Sequence, residues 1–270
     1  MLEQQADRVM ELSEWSQRWQ ENKIGFHQPE VHSMLQTNYE AVVNGRSAVR
    51  WFFPLCGKAV DMKCWLCLTR LRLADLGHSV VGVEISEMAI RQFFQENKMT
   101  FSEEDVPAVP GAKVFQNSDR SVSLYQCDLF SFSRFRETSA VSERFCLCCS
   151  AVAGRFGAIW DRGSLVAINP RDRDRVSPGP DVSSVLRYAA LIVSLMAPDC
   201  RYLLDTLLYN PELYKGPPFF VPDEQVQSLF GGRCDVELLQ SVDALTDRQR
   251  AWGLDALTEN VHLLTLKAAN

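Results

Sequence analysis

Ala48-Val49-Arg50-Trp51-Phe52-Phe53-Pro54-Leu55-Cys56-Gly57-Lys58 and Gly77-His78-Ser79-Val80-Val81-Gly82-Val83-Glu84-Ile85-Ser86 are the two stretches that decide the fold. Each holds a short apolar run rich in β-formers and bounded by turn residues. A helical pattern follows each run. The first extends from about Ala59 to Asp75. The second covers Glu87 to Lys98, with Met88, Ile90, Phe93 and Phe94 on its apolar side. Strand–helix–strand–helix predicts a parallel sheet with helices on both faces.

Moving outward, Leu12, Trp15, Trp19, Val31, Met34, Leu35 and Val42 recur at three- and four-residue spacings, so residues 1–47 read as a helical cover. Ser13 with Glu14 marks a helix start, and Ile24 to Pro29 is a loop. Downstream, Lys113–Gln116 and Ser121–Gln126 read as a small hairpin or edge strand, and Gly157–Gly163 as a strand ending in a turn. Val185–Met196 reads as a helix, Arg201–Tyr209 as a strand, and Asp223–Phe230 as a short helix after a proline-rich loop. Cys234–Val242 and Asn260–Lys267 are two late strands, which predict an antiparallel edge on a mostly parallel sheet. The expectation is one α/β domain over 1–270.

Composition bounds the function. The 270 residues are 46% hydrophobic and 23% charged, with a net charge of −6. These are globular values, and the acidic balance argues against nucleic acid or an anionic membrane as partner. The amino-terminal Met1–Asp7 lacks the basic and apolar regions of a signal peptide, and no apolar run is long enough to span a bilayer. Nine cysteines are too few for a disulfide scaffold and odd in number. A cytoplasmic chain with reduced thiols is expected.

Four features carry chemistry. The turn Pro54-Leu55-Cys56-Gly57 lies between a strand and a helix, where free backbone N–H groups and the helix dipole receive an anionic group. It has one glycine rather than three, which disfavours a dinucleotide. Glu84 ends the second strand, where doubly wound folds place the acid that accepts from ribose hydroxyls. It is equally placed to cap or open the next helix. Asp128-Leu129 follows a third strand-like run, where an aspartate can accept from an adenine amino group or simply close a turn. Trp15, Trp19 and Phe26 are either a packed helix face or a lid over a ligand.

At this point the residues resemble the thiopurine S-methyltransferase family. The blocks are Glu14-Trp15…Trp19…Phe26-His27-Gln28, Phe52 to Met62, Gly77 to Ser86, Trp160-Asp161-Arg162-Gly163-Ser164-Leu165-Val166-Ala167-Ile168-Asn169-Pro170, and Gly216-Pro217-Pro218-Phe219-Phe220-Val221-Pro222. The resemblance implies a Rossmann-like class I methyltransferase fold. It implies S-adenosylmethionine as methyl donor, no metal, and small aromatic or heterocyclic thiols such as thiopurines as acceptors, handled by a monomer. Carried over by position, Trp15, Trp19 and Phe26 would cover the cofactor. Leu55 and Gly57 would line its methionine part, Glu84 would hold the ribose, and Asp128 and Leu129 would flank the adenine. Arg162 would stand where cofactor and acceptor meet, and Phe26 would border the acceptor. Relatives are expected to carry a small polar residue where this chain has Asp128. A thiolate acceptor needs no dedicated base, so no single catalytic residue is assigned, and Arg162 is a candidate thiolate stabiliser or the partner of a loop carboxylate or Asp161. A silent relative that binds S-adenosyl ligands, or an enzyme for selenium or an inorganic thiolate, is compatible with the same residues.

Stretches near 64–73, 137–154 and 174–186 do not fit the family. They hold Cys64, Cys67, Cys146, Cys148 and Cys149, whose C-x-x-C and C-x-C-C spacings occur in zinc sites. No histidine lies near them, and extra surface loops are the simpler reading.

Overall fold

The computed structural model describes residues 9–64, 77–133, 154–173 and 188–268. The three atypical stretches lie almost entirely outside these residues, as do the cysteine motifs apart from Cys64 itself. In chain order the elements are α1 (Leu12–Gln20), α2 (Ser33–Val43), β1 (Arg50–Phe53), α3 (Asp61–Cys64), β2 (Ser79–Glu84), α4 (Glu87–Glu96), β3 (Phe101–Asp105), β4 (Lys113–Asn117) and β5 (Val122–Gln126). They continue with β6 (Phe156–Asp161), α5 (Tyr188–Leu195), β7 (Met196–Leu208), α6 (Asp223–Phe230), β8 (Cys234–Asp243), α7 (Asp247–Arg250) and β9 (Thr258–Leu266).

All nine strands form one sheet in the order β3-β4-β5-β2-β1-β6-β7-β9-β8. The strands β5, β2, β1, β6 and β7 pair in parallel, while β4 and β9 run against their neighbours. The sheet is therefore mostly parallel, as expected, but it is antiparallel at both edges rather than one. The chain winds from β1 outward to β5, then crosses back to β6 beside β1. That reversal opens a crevice at the carboxyl ends of the strands, the place where doubly wound sheets hold ligands.

Alternate residues of each strand feed two cores. Phe52, Val81, Val83, Ile159, Tyr202 and Leu204 pack toward α5 and α6. Trp51, Phe53, Val80, Leu124, Trp160 and Leu203 pack toward α2 and α4. The helices thus lie on both faces. Phe52 stacks on Phe156 at 4.8 Å, and a fully buried aromatic of this kind contributes about 1.5–3 kcal/mol.

Local signals explain the helices. Ser86 caps α4 by accepting from the Ala89 N–H at 3.3 Å, and Ala89, Ile90, Phe93 and Phe94 bury its inner face. α1 starts at Leu12, one residue before the expected start, because Glu14 accepts from the Glu11 N–H at 2.9 Å and closes the turn there. Of the long helix expected after the glycine turn, only Asp61–Cys64 is described. β3 was not anticipated. Its Ser-Glu-Glu-Asp run is exposed and held by pairing with β4, so it carries no apolar period. β7 begins at Met196, five residues early, directly after α5. The cysteines Cys56, Cys127, Cys200 and Cys234 are unpaired and buried, and burial pushes the Cys127 thiol up to about 12 and Cys234 to about 11. They are inert thiols rather than nucleophiles.

Candidate active site

The turn after β1 folds back on the end of β2. Leu55 and Gly57 take positive φ values of 42° and 51°. The Cys56 N–H donates to the Val83 carbonyl at 2.9 Å. The next amide, Gly57 N–H, donates to Glu84 Oε2 at 2.8 Å, and Ser86 N–H donates to Glu84 Oε1 at 2.8 Å. Glu84 is thus neither helix cap nor first-turn acid: Ser86 takes the cap. Gly82 makes the close fold possible, since a Cβ there would stand 2.6 Å from Cys56 Sγ and 2.8 Å from Leu124 Cδ2. Burial raises the Glu84 pKa, against the pull of the Ser86, Gly57 and Ile85 amides. Three amides draw on the carboxylate, which leaves it acceptor capacity for a ligand.

Trp19 lies over this turn. A Cβ on Gly57 would sit 3.2 Å from its ring. Gly57→Ala therefore adds both strain at positive φ and a crowded contact, together about 1–2 kcal/mol. It is expected to lower Tm by about 2–8 °C in thermal denaturation, and an unchanged Tm would contradict this crowding.

On the far side of Glu84, the Cys127 N–H donates to the Glu84 carbonyl at 3.1 Å. Asp128 accepts from the Phe130 N–H at 3.0 Å and the Ser131 hydroxyl at 3.4 Å, opening the 3₁₀ turn Ser131–Ser133. The turn-closing role held open for this aspartate is real, and Asp128 still lines the cavity beside the buried Leu129.

The amino-terminal cover is pinned from several directions. Phe26 meets the Trp15 and Trp19 rings edge-on at 5.8 and 5.6 Å. Arg162 donates to the Phe26 carbonyl at 2.8 Å, and Arg248 donates to the Gly25 carbonyl. Asn169 holds Met10 by two bonds, accepting from its N–H at 2.8 Å and donating to its carbonyl at 3.2 Å. Trp19 is at once a packed residue, 4% exposed, and part of the cavity wall.

Arg162 is not the ion-pair partner of Asp161. That carboxylate is fully buried and accepts from the Tyr188 hydroxyl, the Tyr202 hydroxyl at 2.7 Å and the Leu165 N–H at 3.2 Å. The charge of Arg162 acts instead on Asp205 and Glu259. All nine residues singled out in the sequence (Trp15, Trp19, Phe26, Leu55, Gly57, Glu84, Asp128, Leu129 and Arg162) line one cavity of about 920 Å³.

The same cavity has a second half that sequence reading missed. Tyr214 stacks on Trp252 at 5.0 Å, and Tyr209 meets Tyr214 edge-on at 6.0 Å. The Tyr209 hydroxyl donates to the Pro218 carbonyl and the Tyr214 hydroxyl to the Pro217 carbonyl, at 2.7 and 2.6 Å. The recurrent Gly216–Pro222 block was the available signal for this wall. His32, Asp205 and Glu259 meet at the floor and left no local signal. The arrangement is one partly open chamber, with the buried carboxylate of Glu84 at one end, an aromatic wall at Tyr214 at the other, and Arg162 with Phe26 between them.

The fold is the Rossmann-like one of the class I S-adenosylmethionine-dependent methyltransferases. The sheet matches a methyltransferase from Anabaena variabilis with a TM-score of 0.53 at 12% identity, covering 96% of each chain. It also matches one from Geobacter sulfurreducens, solved with S-adenosyl-L-homocysteine, with a TM-score of 0.51 at 13% identity, covering 94% of this chain and 98% of that one. The thiopurine S-methyltransferase family model matches residues 10–267. A probable thiopurine S-methyltransferase of Danio rerio is 54% identical over 97% of this chain and 98% of its own. The rabbit enzyme, from Oryctolagus cuniculus, is 44% identical over 98% and 94%. The chain belongs to the thiopurine S-methyltransferase family.

Proposed function

We propose that this protein transfers the methyl group of S-adenosylmethionine to the sulfur of small aromatic and heterocyclic thiols, thiopurines among them. The observation that carries this reading is the single chamber joining the Glu84 turn to an aromatic wall through Arg162. The residues suit the donor. Glu84 is a buried carboxylate with lone pairs to spare, and Gly57 leaves open the space under Trp19 that a Cβ would take. Tyr214, Trp252 and the two prolines offer flat apolar faces to a ring acceptor.

When bound, S-adenosylmethionine supplies a methyl group already activated by its sulfonium. The protein's part is then to align, to exclude water and to keep the acceptor ionised. The Trp15–Trp19–Phe26 cover shields one side of the chamber from solvent. Arg162, anchored on the cover by the Phe26 carbonyl, places a positive charge where donor and acceptor ends meet and favours the thiolate. Arg162→Ala is expected to lower the transfer rate and raise the acceptor KM, together about 10–100-fold in kcat/KM, without loss of S-adenosylhomocysteine binding. Unchanged kinetics would remove Arg162 from the site.

We further read the protein as a metal-free monomer of the cytoplasm, acting on foreign thiols. The unpaired cysteines among the described residues suit a reducing compartment, and among those residues no helix is long and apolar enough to cross a membrane. The deciding experiment incubates the purified chain with S-adenosylmethionine and 6-mercaptopurine, thiophenol, selenide or sulfide, and follows the methylated product. Transfer to the ring thiols is expected. Binding of S-adenosylhomocysteine with no transfer to any of them would make the chain a silent relative.

A further inference from the structure

Below Arg162, the chamber floor carries three ionisable groups without a part in the scheme above. Asp205 on β7 pairs with Val261 on β9, so Glu259, two residues before Val261, faces the same way. That is the face covered by α2, and His32 stands immediately before α2. His32 Nε2 lies 3.2 Å from Glu259 Oε1. The Glu259 and Asp205 carboxyls lie close enough to act on each other, and two acids so placed do not both ionise readily. Ligand atoms of all three lie within 4.8 Å of one another. Arg162 and Asp161, at the end of β6, also act on Asp205, so it faces two acids, one histidine and one guanidinium. The guanidinium makes the floor a poor seat for a divalent cation.

Asp205 is 3% exposed, yet it belongs to the chamber wall, and its Oδ1 has no hydrogen-bond partner among the described residues. A buried acceptor left unpaired is costly and calls for a donor. Burial, followed by the charge of Glu259, pushes the Asp205 pKa well up. Burial alone would also raise Glu259, but the hydrogen bond and charge of His32 outweigh it and leave Glu259 lowered. Asp205 is therefore the acid that keeps a proton beside Glu259, and its Oδ1 is an unpaired, buried acceptor on a residue of the chamber wall.

Heterocyclic thiols in their neutral form carry the proton on a ring nitrogen beside a thiocarbonyl, not on sulfur. We propose that Asp205, Glu259 and His32 are the sink for that ring N–H proton while the sulfur is methylated. The proposal rests on the S-methylation reading above. The acceptor's N–H bond breaks and its electron pair moves through the ring onto sulfur. The S–CH₃ bond forms as the sulfonium C–S bond breaks, its pair staying on the departing sulfur. The proton arrives at Asp205 Oδ1, and the proton Asp205 already held passes fully to Glu259. The cluster ends with one proton more than it began with. That proton leaves past His32, whose side chain is 12% exposed.

The test uses Asp205→Asn and Glu259→Gln with two acceptors across pH. One is 6-mercaptopurine, which keeps its ring proton below its own pKa. The other is a nitro-substituted thiobenzoate, ionised throughout. Below the pKa of 6-mercaptopurine, each variant is expected to lose at least about 10-fold in kcat on it, and the loss disappears once the pH ionises the acceptor. Turnover of the thiobenzoate and S-adenosylhomocysteine affinity by calorimetry stay within about twofold of the parent, since neither needs the sink. An equal loss on both acceptors would show a structural role and overturn the proposal, as would no loss on 6-mercaptopurine. So would activity lost to EDTA and restored by zinc. Should the variants fail to bind S-adenosylhomocysteine, the parent protein decides. A solvent deuterium isotope effect on kcat for protonated 6-mercaptopurine that is absent for the thiobenzoate supports the sink, and equal effects overturn it. If the parent methylates neither acceptor, it is the S-methylation reading itself that fails.

Discussion

Glu84→Ala lowers the affinity for S-adenosylhomocysteine about 100-fold, equivalent to about 3 kcal/mol. The carboxylate does two things at once. It fixes the glycine turn by accepting from Gly57 and Ser86, both at 2.8 Å, and it is the acid proposed to receive the ribose hydroxyls. Hydrogen bonds to a charged acceptor are worth about 1.5–3 kcal/mol each, so losing the ligand's bonds and loosening the turn readily accounts for this loss. Glu84→Gln keeps the shape and one acceptor oxygen, and about a 10-fold loss is expected. The pH dependence separates the two. The ligand binds the ionised acid, and burial raises its pKa above the ordinary 4.5. Acidification therefore weakens binding from a higher pH than a free glutamate would give, and the Gln variant lacks this limb. Calorimetry over pH checks both, and undiminished affinity in Glu84→Ala would remove this residue from the donor site.

Asp161→Ala is the most damaging change to stability. Its carboxylate, buried with no exposed surface, is the common acceptor for the Tyr188 and Tyr202 hydroxyls and the Leu165 amide. Alanine takes the shared acceptor from three buried donors, and the remaining Tyr188–Tyr202 and Tyr188–Ser164 contacts replace it only in part, a cost of about 3–5 kcal/mol. In a chain of this size that lowers Tm by about 10 °C. Burial raises the Asp161 pKa, with the two tyrosines pulling against it, so the group is held by its hydrogen bonds rather than by a counter-charge. Asp161→Asn keeps one acceptor oxygen and is expected to fall between. Thermal denaturation measures both, and a Tm within about 2 °C of the parent for Asp161→Ala would contradict this account.

The parts of fold and site that could be read from sequence are the parts built locally. β1, the glycine turn, β2, Ser86 and α4 lie within one unit, where a β-rich apolar run, a turn and a 3.6-residue period follow one another. Glu84 and Gly57 were legible for the same reason, because the strand end and the turn announce themselves. β3 was not legible, since an exposed edge strand of Ser-Glu-Glu-Asp owes its form to β4 and not to its own pattern. The acceptor wall needs Tyr214 to meet Trp252, and the floor needs His32 beside Glu259. Their partners are far apart in sequence and are brought together by the β7–β9 pairing and by α2. Asp128 read correctly as one of two possibilities, but only the amides of Phe130 and Ser131's hydroxyl reveal how much of its carboxylate the turn consumes.

The position of β9 has a consequence for how the nascent chain acquires its chamber. Among the described residues, β9 lies between β7 and β8, yet it is synthesised after the eight other strands, and β8 pairs with β9 alone. The Glu84 half of the chamber, with Gly57, Asp128 and Arg162, draws on residues that leave the ribosome before β7, β8 and β9. The other half waits for Glu259 to arrive and for β9 to enter the gap, a late, non-local closure of the kind that slows assembly. Co-translational folding therefore builds the two halves at different times. A ribosome-stalled chain ending before Thr258 has the glycine turn but no proton cluster.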